Sequence, residues 1–431
     1  TPQTVTWTLV HSVMASVLGS LQIGYHTGNI NATQMVIEEF FNQTWKERFK
    51  ETMSLHALTM LWSFTVSTLA LGATVSVLTV GIVADHYGRR NSILIANSLS
   101  LMAVAFMGIS KTAGSLEALI VGRFLIGLFC GLNMTLIPLY IQEISPTRVC
   151  GAFSTMNQLS QTVGTFIGQV KSCLENMLGT SRWWPLMLSL SAIPAILQYL
   201  TLPFCPESPR YFLINCHEDE LAARGKIVYR TRLKNGVFLN GHGCVLMGHL
   251  EPGGVSKVIH ERFRGLINSF GTQPILIALI LNASTQLSGF NAIINYSTKI
   301  FRLAGVAHPT QTTLGIGAIN ILFTIFSVSE LHTELSFSFL AGTGVFHLPI
   351  SLHLCTQGEV PWTKYFLLLA LFTMVAFYEI GPGPISWYIT AELFSQSARP
   401  VAMGLTSSWN WFHNFIVAMF YQPLLSWVKH F

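Results

Sequence analysis

The chain has 431 residues, of which 51% are hydrophobic and only 10% charged, with a formal net charge of +5. A soluble protein of this length would need many more charged side chains to cover its surface, so a soluble globular protein is excluded. The spacing of the charges is more informative than their number. Long stretches contain no Asp, Glu, Lys or Arg, among them residues 1–37, 52–84, 265–298, 303–329 and 400–428.

Most of these stretches exceed the roughly 20 residues that a helix needs to cross hydrocarbon. Within lipid, each backbone N–H and C=O must pair inside its own segment, so stretches this apolar must be helices. The first lacks a preceding basic segment and stays apolar too long for a cleaved signal, so we predict a retained helix. The sequence predicts eleven spans, centred near residues 15, 70, 100, 128, 160, 194, 281, 318, 345, 375 and 412.

Lys and Arg collect in the loops after spans 2, 4 and 6, which hold 12 of the 24 basic residues. By the positive-inside rule these loops, and with them the N-terminus, face the cytoplasm. The net charge is therefore a topology signal, and no nucleic-acid partner is predicted. The loop after span 1 then faces outward, where Asn42-Gln43-Thr44 is a candidate glycosylation acceptor. Asn31-Ala32-Thr33 is a poorer acceptor because it lies against a helix end.

The order of spans predicts an all-α membrane protein with two helical bundles of six and five spans. Residues 1–206 form the N-terminal bundle, residues 207–268 a cytoplasmic linker with short helices, and residues 269–431 a C-terminal bundle without a twelfth span. A repeat supports this plan, because the cytoplasmic ends of spans 4 and 10 each place Tyr, then Glu, then Arg in that order. Parallel repeats of six spans are the architecture of major facilitator carriers. The alternative is chance similarity between two helix ends.

The sequence lacks the motifs that are typical of other functional classes. The seven cysteines include no closely spaced pair, so neither a disulfide framework nor a metal site is predicted. The segment Arg224-Gly225-Lys226 lacks the upstream glycine of a phosphate-binding loop. No nucleophile–base constellation stands out. We therefore expect neither an enzyme nor an ATP-driven pump, and no cofactor.

Several long motifs resemble those of the facilitative glucose transporters, the sugar-porter branch of the major facilitator superfamily. The class that contains the glucose carriers of erythrocytes and neurons is the most similar. The resemblance covers residues 1–215, 272–326 and 364–423. The motifs that carry it begin at Gly24 (GYHTG), Asp85 (DHYGRR), Gly122 (GR), Pro206 (PESPR), Gln286 (QLSGFNA), Gly381 (GPGPISW) and Glu392 (ELFS).

The resemblance implies facilitated diffusion of a hexose, glucose first, by alternating access, without ATP or proton coupling. It also implies a multi-pass protein of the plasma membrane. Proton-driven relatives use a carboxylate in span 1, whereas this chain has no acid before Glu38, and His26 is the only titratable residue near that place. Passive uniport is therefore the interpretation we favour.

A hexose is a ring of hydroxyl groups, so its site needs neutral donors and acceptors and an aromatic face. Carboxamides supply both kinds of group, whereas charges are costly at bilayer depth. Amides in membrane helices also join helices to one another, which is the alternative interpretation. This alternative applies more to Gln161 and Asn410 than to the other amides. Together with the resemblance, these arguments give the candidate sugar contacts Gln158, Gln286, Asn291, Asn320, Glu379, Trp387, Asn410 and Trp411.

Two further features predict a moving carrier. The run Gly381-Pro382-Gly383-Pro384 cannot hold a continuous helix, and the resemblance makes it the hinge of a gating helix that carries Trp387. Charged residues at the cytoplasmic ends resemble the family's inter-half clamp, in which charged side chains of one half face charged side chains of the other half. The alternative is that these charges only set the topology. The clamp consists of Arg89, Arg90 and Glu143 on one half and Glu392 and Arg399 on the other.

Four departures from the family pattern support a rival hypothesis. Cys150 stands where an arginine is expected, and Asn282-Ala283-Ser284 followed by Thr285 replaces a glucose-type segment with its sugar-contacting glutamine. The loop after span 8 has no basic residue, and no twelfth span follows. The rival is a degenerate paralogue or fragment that transports nothing, or that only binds sugar.

Overall fold

The computed structural model describes residues 6–173, 183–214, 272–329 and 363–381, residues 383, 393 and 394, and residues 399–428. Throughout these ranges the regular elements are helices, and none of the described residues forms a strand. The prediction of an all-α protein is therefore confirmed for this part of the chain.

Before residue 207 the helices follow one another with short connections. They are α1 (Trp7–Ala32), α2 (Gln34–Phe49), α3 (Leu55–Tyr87), α4 (Arg89–Ile109), α5 (Leu116–Ile144), α6 (Thr147–Cys173), α7 (Trp184–Ser189) and α8 (Ala192–Thr201). A 3₁₀ turn (Leu202–Phe204) follows α8, and α9 (Pro209–Ile214) is a short helix after it. We call the elements from α1 to α9 the N-terminal half.

The C-terminal half contains five described helices. They are α10 (Gln273–Leu287), α11 (Phe290–Leu303), α12 (Pro309–Ser329), α13 (Thr363–Ile380) and α14 (Arg399–Val428). The break between α10 and α11 falls at Gly289, whose φ of 78° is a left-handed conformation that glycine adopts without strain. Helix α13 ends at Ile380, directly before the predicted helix-breaking run.

These helices coincide with the predicted spans. Within the described ranges, six helical segments are long and apolar enough to cross a membrane. Helices α1, α6 and α14, with 26, 27 and 30 residues, also have spanning length. The span predicted near residue 345 lies outside the described residues. Helix α2 was not predicted, because its charged residues end the apolar stretch and so indicate a loop after span 1.

In the described part of the chain, three helix pairs make the most extensive contacts between the two halves. Helix α1 packs on α11, α3 on α14, and α6 on α12. If α10 and α11 are counted together as span 7, these are pairs 1–7, 2–11 and 5–8. A parallel repeat relates span 1 to span 7, span 2 to span 8 and span 5 to span 11. This relation maps the first pair onto itself and interchanges the other two. The contacts therefore have the two-fold pattern that a parallel repeat of six spans requires.

Glycines allow α1 and α6 to approach until their backbones touch. A Cβ added at Gly24 would lie 1.8 Å from the carbonyl oxygen of Gln161, and one at Gly28 would lie 2.1 Å from that of Thr165. On the opposite helix, a Cβ at Gly164 would lie 2.2 Å from the carbonyl oxygen of Leu21. Small residues four apart on both helices are a recurrent way to pack membrane helices closely.

Because the backbone of α6 cannot move aside as a side chain can, the change Gly24→Ala should force α1 and α6 apart. We expect it to destabilise the protein by about 1–3 kcal/mol or more, as overpacked cores do. The measurement is thermal unfolding in detergent, followed by size-exclusion chromatography.

The matched control is Gly404→Ala, also in a helix between the two halves. There a new Cβ would lie an ordinary 3.9 Å from the carbonyl oxygen of Val77. We expect Gly404→Ala to unfold at the wild-type temperature within a degree or two. Equal losses for both variants would contradict this account of α1–α6 packing.

Candidate functional site

A buried carboxyl group joins the two halves near the middle of α6 and α12. The Gln158 side-chain amide on α6 donates to the Glu379 carboxylate oxygen on α13 at 3.2 Å. The hydroxyl of Thr324 on α12 lies 3.2 Å from the same oxygen and bonds to the carbonyl oxygen of Asn320 at 2.7 Å. The same hydroxyl lies 3.4 Å from the Asn320 side-chain oxygen. Gln158, Asn320 and Glu379, three predicted site residues, are therefore brought together from three helices. We call these three residues, with Thr162 and Thr324, the Glu379 cluster.

Sequence reasoning missed the two threonines of this cluster. Thr162 and Thr324 face each other across the halves, with 3.4 Å between their hydroxyl oxygens. Each lies one helical turn after a predicted site residue, Gln158 or Asn320, and so shares its face of the helix. That i, i+4 spacing was the available signal. Threonine is common in apolar helices, where its hydroxyl bonds to the preceding turn, so the type alone did not single it out.

A second set of amides lies within the C-terminal half, between α10, α11 and α14. The Gln286 side-chain nitrogen donates to the Asn410 side-chain oxygen at 2.8 Å, and the Asn291 amide donates to the Gln286 side-chain oxygen. Residues five apart on a continuous helix point about 140° away from each other. The break at Gly289 allows Asn291 to turn back onto Gln286. We call Gln286, Asn291 and Asn410 the amide cluster.

Of the remaining predicted site residues, the structure describes the side chain of Trp411 but not those of Trp387, Glu392 and Arg399. Trp411 on α14 is buried, and its indole N–H has no hydrogen-bond partner within the described part of the chain. A buried donor of this kind is a candidate for bonding to a ligand. Trp387 and Glu392 lie outside the described residues, as does the side chain of Arg399.

Where α1 faces α5, a histidine lies beside a buried arginine. The Arg123 guanidinium donates to the carbonyl oxygen of His26 at 3.2 Å, and both residues are buried. Neither ring nitrogen of His26 has a hydrogen-bond partner among the described residues. Helix α1 contains no Asp or Glu at any of its positions. Helix α1 therefore offers no carboxylate where it meets Arg123.

The charged residues at the predicted cytoplasmic end interact within the N-terminal half. Arg89 Nε lies 3.1 Å from the Glu143 carboxylate, and the Ser208 hydroxyl donates to that carboxylate as well. Glu207 accepts the backbone N–H groups of Arg89 and Arg90 at 3.0 Å and so caps the start of α4. The predicted partners across the bundle are Glu392 and the side chain of Arg399, and both lie outside what the structure describes, so the inter-half clamp stays a prediction.

At the opposite end, the halves are joined by neutral hydrogen bonds. The Asn31 side chain donates to the Ile294 carbonyl oxygen at 2.8 Å and to the Ser297 hydroxyl at 2.7 Å, and it accepts the Thr298 backbone N–H at 3.2 Å. These bonds connect the end of α1 to α11. Hydrogen bonds of this kind can break and re-form without leaving a buried charge unpaired.

The arrangement has the chemistry of a binding site. It gathers carboxamides, hydroxyls and one carboxyl group between two apolar bundles. Among the described residues, no group of three or more His, Cys, Asp or Glu could hold a metal ion. Neutral donors and acceptors suit a polyhydroxylated ligand that must be released again.

A family model described as "Sugar (and other) transporter" matches residues 12–431. The chain belongs to this family. It is 41% identical over 418 residues to the facilitated glucose transporter member 1 of Gallus gallus, covering 96% of this chain and 84% of that protein. Its identity to member 4 of Homo sapiens is 41% over 432 residues, covering 97% and 83%. The chain is thus a sugar transporter of the class that contains the facilitated glucose transporters, and its relatives are carriers, not enzymes.

Solved structures of lower identity show the fold. A partially occluded, inward-open structure of the xylose transporter XylE from E. coli matches with a TM-score of 0.77 and 20% identity, over 98% of this chain and 95% of that one. The nucleoside transporter NupG matches with a TM-score of 0.56 and 12% identity. The major facilitator fold predicted from the repeat is confirmed, and with it a multi-pass membrane protein.

Proposed function

We propose that this family member carries a hexose, with glucose as the first candidate, by alternating access. The observation that carries the proposal is the Glu379 cluster, where amide, hydroxyl and carboxyl groups of both halves meet between apolar helices. A sugar placed there would exchange hydrogen bonds with both halves at once. The relatives are named as glucose transporters, which favours glucose over other hexoses.

We further propose that transport is uniport, driven by the sugar gradient alone. Helix α1 lacks a carboxylate, and His26 stands beside the buried Arg123. A proton carried with the sugar would need a group that gains and loses it in each cycle. An imidazole next to a buried guanidinium is poorly suited to accept one, because the two positive charges would repel each other at low dielectric.

In this proposal the remaining predicted residues keep their roles. Trp387 closes on bound sugar, Asn320 and Asn291 bind its hydroxyls, and Trp411 offers an aromatic face and a free indole donor. The inter-half clamp of Arg89, Arg90 and Glu143 with Glu392 and Arg399 stabilises the outward-open state. Since Arg89 and Glu143 already pair with each other, the clamp would link the other half to an existing ion pair.

A non-transporting paralogue is the second candidate. One observation favours it: Thr285 stands where the family resemblance expects a sugar-contacting glutamine, and its hydroxyl bonds to the Asn282 carbonyl oxygen at 2.8 Å. A protein with this change could bind sugar weakly or not at all. Transport assays separate the two candidates.

The test is uptake of radiolabelled D-glucose and D-fructose into proteoliposomes, with L-glucose as the stereochemical control. We expect saturable D-hexose uptake that stops at the outside concentration, with or without an inward proton gradient. Accumulation above that concentration would contradict uniport. Uptake equal to that of empty vesicles would favour the non-transporting paralogue.

Two glutamines of α6 give a matched pair for the same assay. Gln158→Ala removes the amide that bonds to Glu379 and should raise KM about 3- to 10-fold, the effect of losing one hydrogen bond. Gln161→Ala changes the neighbouring amide, which we assign to helix packing, and should leave KM within about twofold. If the two variants behave alike, the Glu379 cluster is not the sugar site.

We also propose a plasma-membrane protein with a cytoplasmic N-terminus, which places α2 outside the cell. Asn42 is exposed on α2, whereas Asn31 is buried and bonded to α11. In a mammalian cell, Asn42→Gln should remove the mass that an N-glycosidase removes from the wild type. An unchanged mass shift in this variant, or no shift in either protein, would contradict this topology or this acceptor.

A further inference from the structure

The amide cluster is oriented by two residues behind it on α10. Asn282 and Thr285 are buried, and both contact the Asn410 side chain on α14. The Asn410 amide nitrogen lies 3.3 Å from the Asn282 side-chain oxygen and 3.2 Å from the Thr285 hydroxyl. These two positions belong to the segment that departs from the family pattern.

Backbone carbonyl groups fix which atoms donate. The Asn282 side-chain nitrogen donates to the Ala278 carbonyl oxygen at 2.9 Å, so its oxygen must face Asn410. The Thr285 hydroxyl donates its single hydrogen to the Asn282 carbonyl oxygen at 2.8 Å, so toward Asn410 it can only accept. A carbonyl oxygen never donates, so the direction of both bonds is certain. The Asn282 side chain and the Thr285 hydroxyl therefore offer only acceptors to Asn410.

The orientation then passes along the cluster. The Asn282 backbone carbonyl oxygen also lies 3.3 Å from the Asn410 amide nitrogen. Facing only acceptors on α10, Asn410 must turn its nitrogen toward that helix and its oxygen toward Gln286. That oxygen accepts the Gln286 side-chain nitrogen at 2.8 Å, which turns the Gln286 oxygen toward the Asn291 amide. Each carboxamide thus has one allowed orientation out of two. With respect to the described residues, Gln286 and Asn291 each keep one N–H for a ligand, and Asn291 also keeps its oxygen.

We propose that Asn282 and Thr285 are positioning residues, which set the orientation of Gln286 through Asn410 and so the hydrogen-bond pattern offered to the sugar. The inference rests on the proposed sugar-binding role of Gln286. Thr285 stands where the family resemblance expects a direct sugar contact. Here its hydroxyl contacts Asn410, which in turn contacts Gln286. Preorganised amides bind a hydroxyl without first losing rotational freedom.

The variant Thr285→Val keeps the shape of the side chain and removes the acceptor. We expect the KM for the transported hexose to rise about 3- to 10-fold with kcat within about twofold, because one of the acceptors that orient Asn410, and through it Gln286, is then lost. Thr285→Ser restores the hydroxyl and should restore KM. Thr406→Val on α14 is the matched control, since this buried hydroxyl donates to the carbonyl oxygens of Ala402 and Met403 in its own helix.

A double-mutant cycle separates positioning from direct contact. If Thr285 acts through Gln286, adding Thr285→Val to Gln286→Ala should raise KM no further than Gln286→Ala alone. Independent, multiplying effects would overturn the proposal, as would an unchanged KM for Thr285→Val. A general packing defect would also lower kcat and would not be rescued by serine.

A stability measurement keeps the inference testable if the wild type transports nothing. In detergent without sugar, the fall in Tm for Thr285→Val combined with Asn410→Ala should equal the fall for Asn410→Ala alone. Non-additive shifts without transport would leave the positioning network standing and remove the proposed function. Additive shifts would overturn the network whether or not the protein carries sugar.

Discussion

The contacts around Glu379 are where the two halves of the bundle meet through polar atoms in the middle of apolar helices. Gln158 and Thr162 come from α6, Thr324 from α12 and Glu379 from the end of α13. Buried polar groups are stable only while they keep their partners. A ligand that enters must replace these partners, and one that leaves must return them. A polyhydroxylated ring can do both, because it supplies donors and acceptors in close succession.

The polar contacts within the N-terminal half differ in kind from those that join the two halves. Inside the N-terminal half, glycine contacts bring α1 and α6 together backbone to backbone, and Glu207 with Arg89 and Glu143 fixes the start of α4. Between the halves, the described bonds at Asn31 and around Glu379 involve mostly neutral groups. The described contacts within the N-terminal half thus include close backbone packing and an ion pair, whereas the polar contacts between the halves are mostly neutral hydrogen bonds. This division of labour suits alternation between two states of similar free energy.

The sequence predicted the helices, and it singled out the amides and the acid that meet in the two clusters because such a residue inside an apolar span is rare enough to notice. It also predicted the two-bundle architecture, since spans 4 and 10 end alike. It could not predict α2, whose charges resemble those of a loop, or the pairing of Thr162 with Thr324, because threonine is unremarkable in a helix. Nor could it predict that Asn291 would reach Gln286, since that contact depends on the left-handed turn at Gly289. The roles of Asn282 and Thr285 likewise required the position of α14.

The most direct measurement of the central claim is a cross-link between the halves. Thr162→Cys and Thr324→Cys, combined in a chain whose seven native cysteines are replaced by serine, place two thiols where hydroxyl oxygens lie 3.4 Å apart. With a protease site in the 207–268 linker, an oxidised disulfide keeps the two fragments together on a non-reducing gel. We predict rapid cross-linking without sugar, slowed by saturating D-glucose and unaffected by L-glucose. A disulfide that fails to form, or forms at one rate under all three conditions, would contradict a sugar site between the two halves at this place.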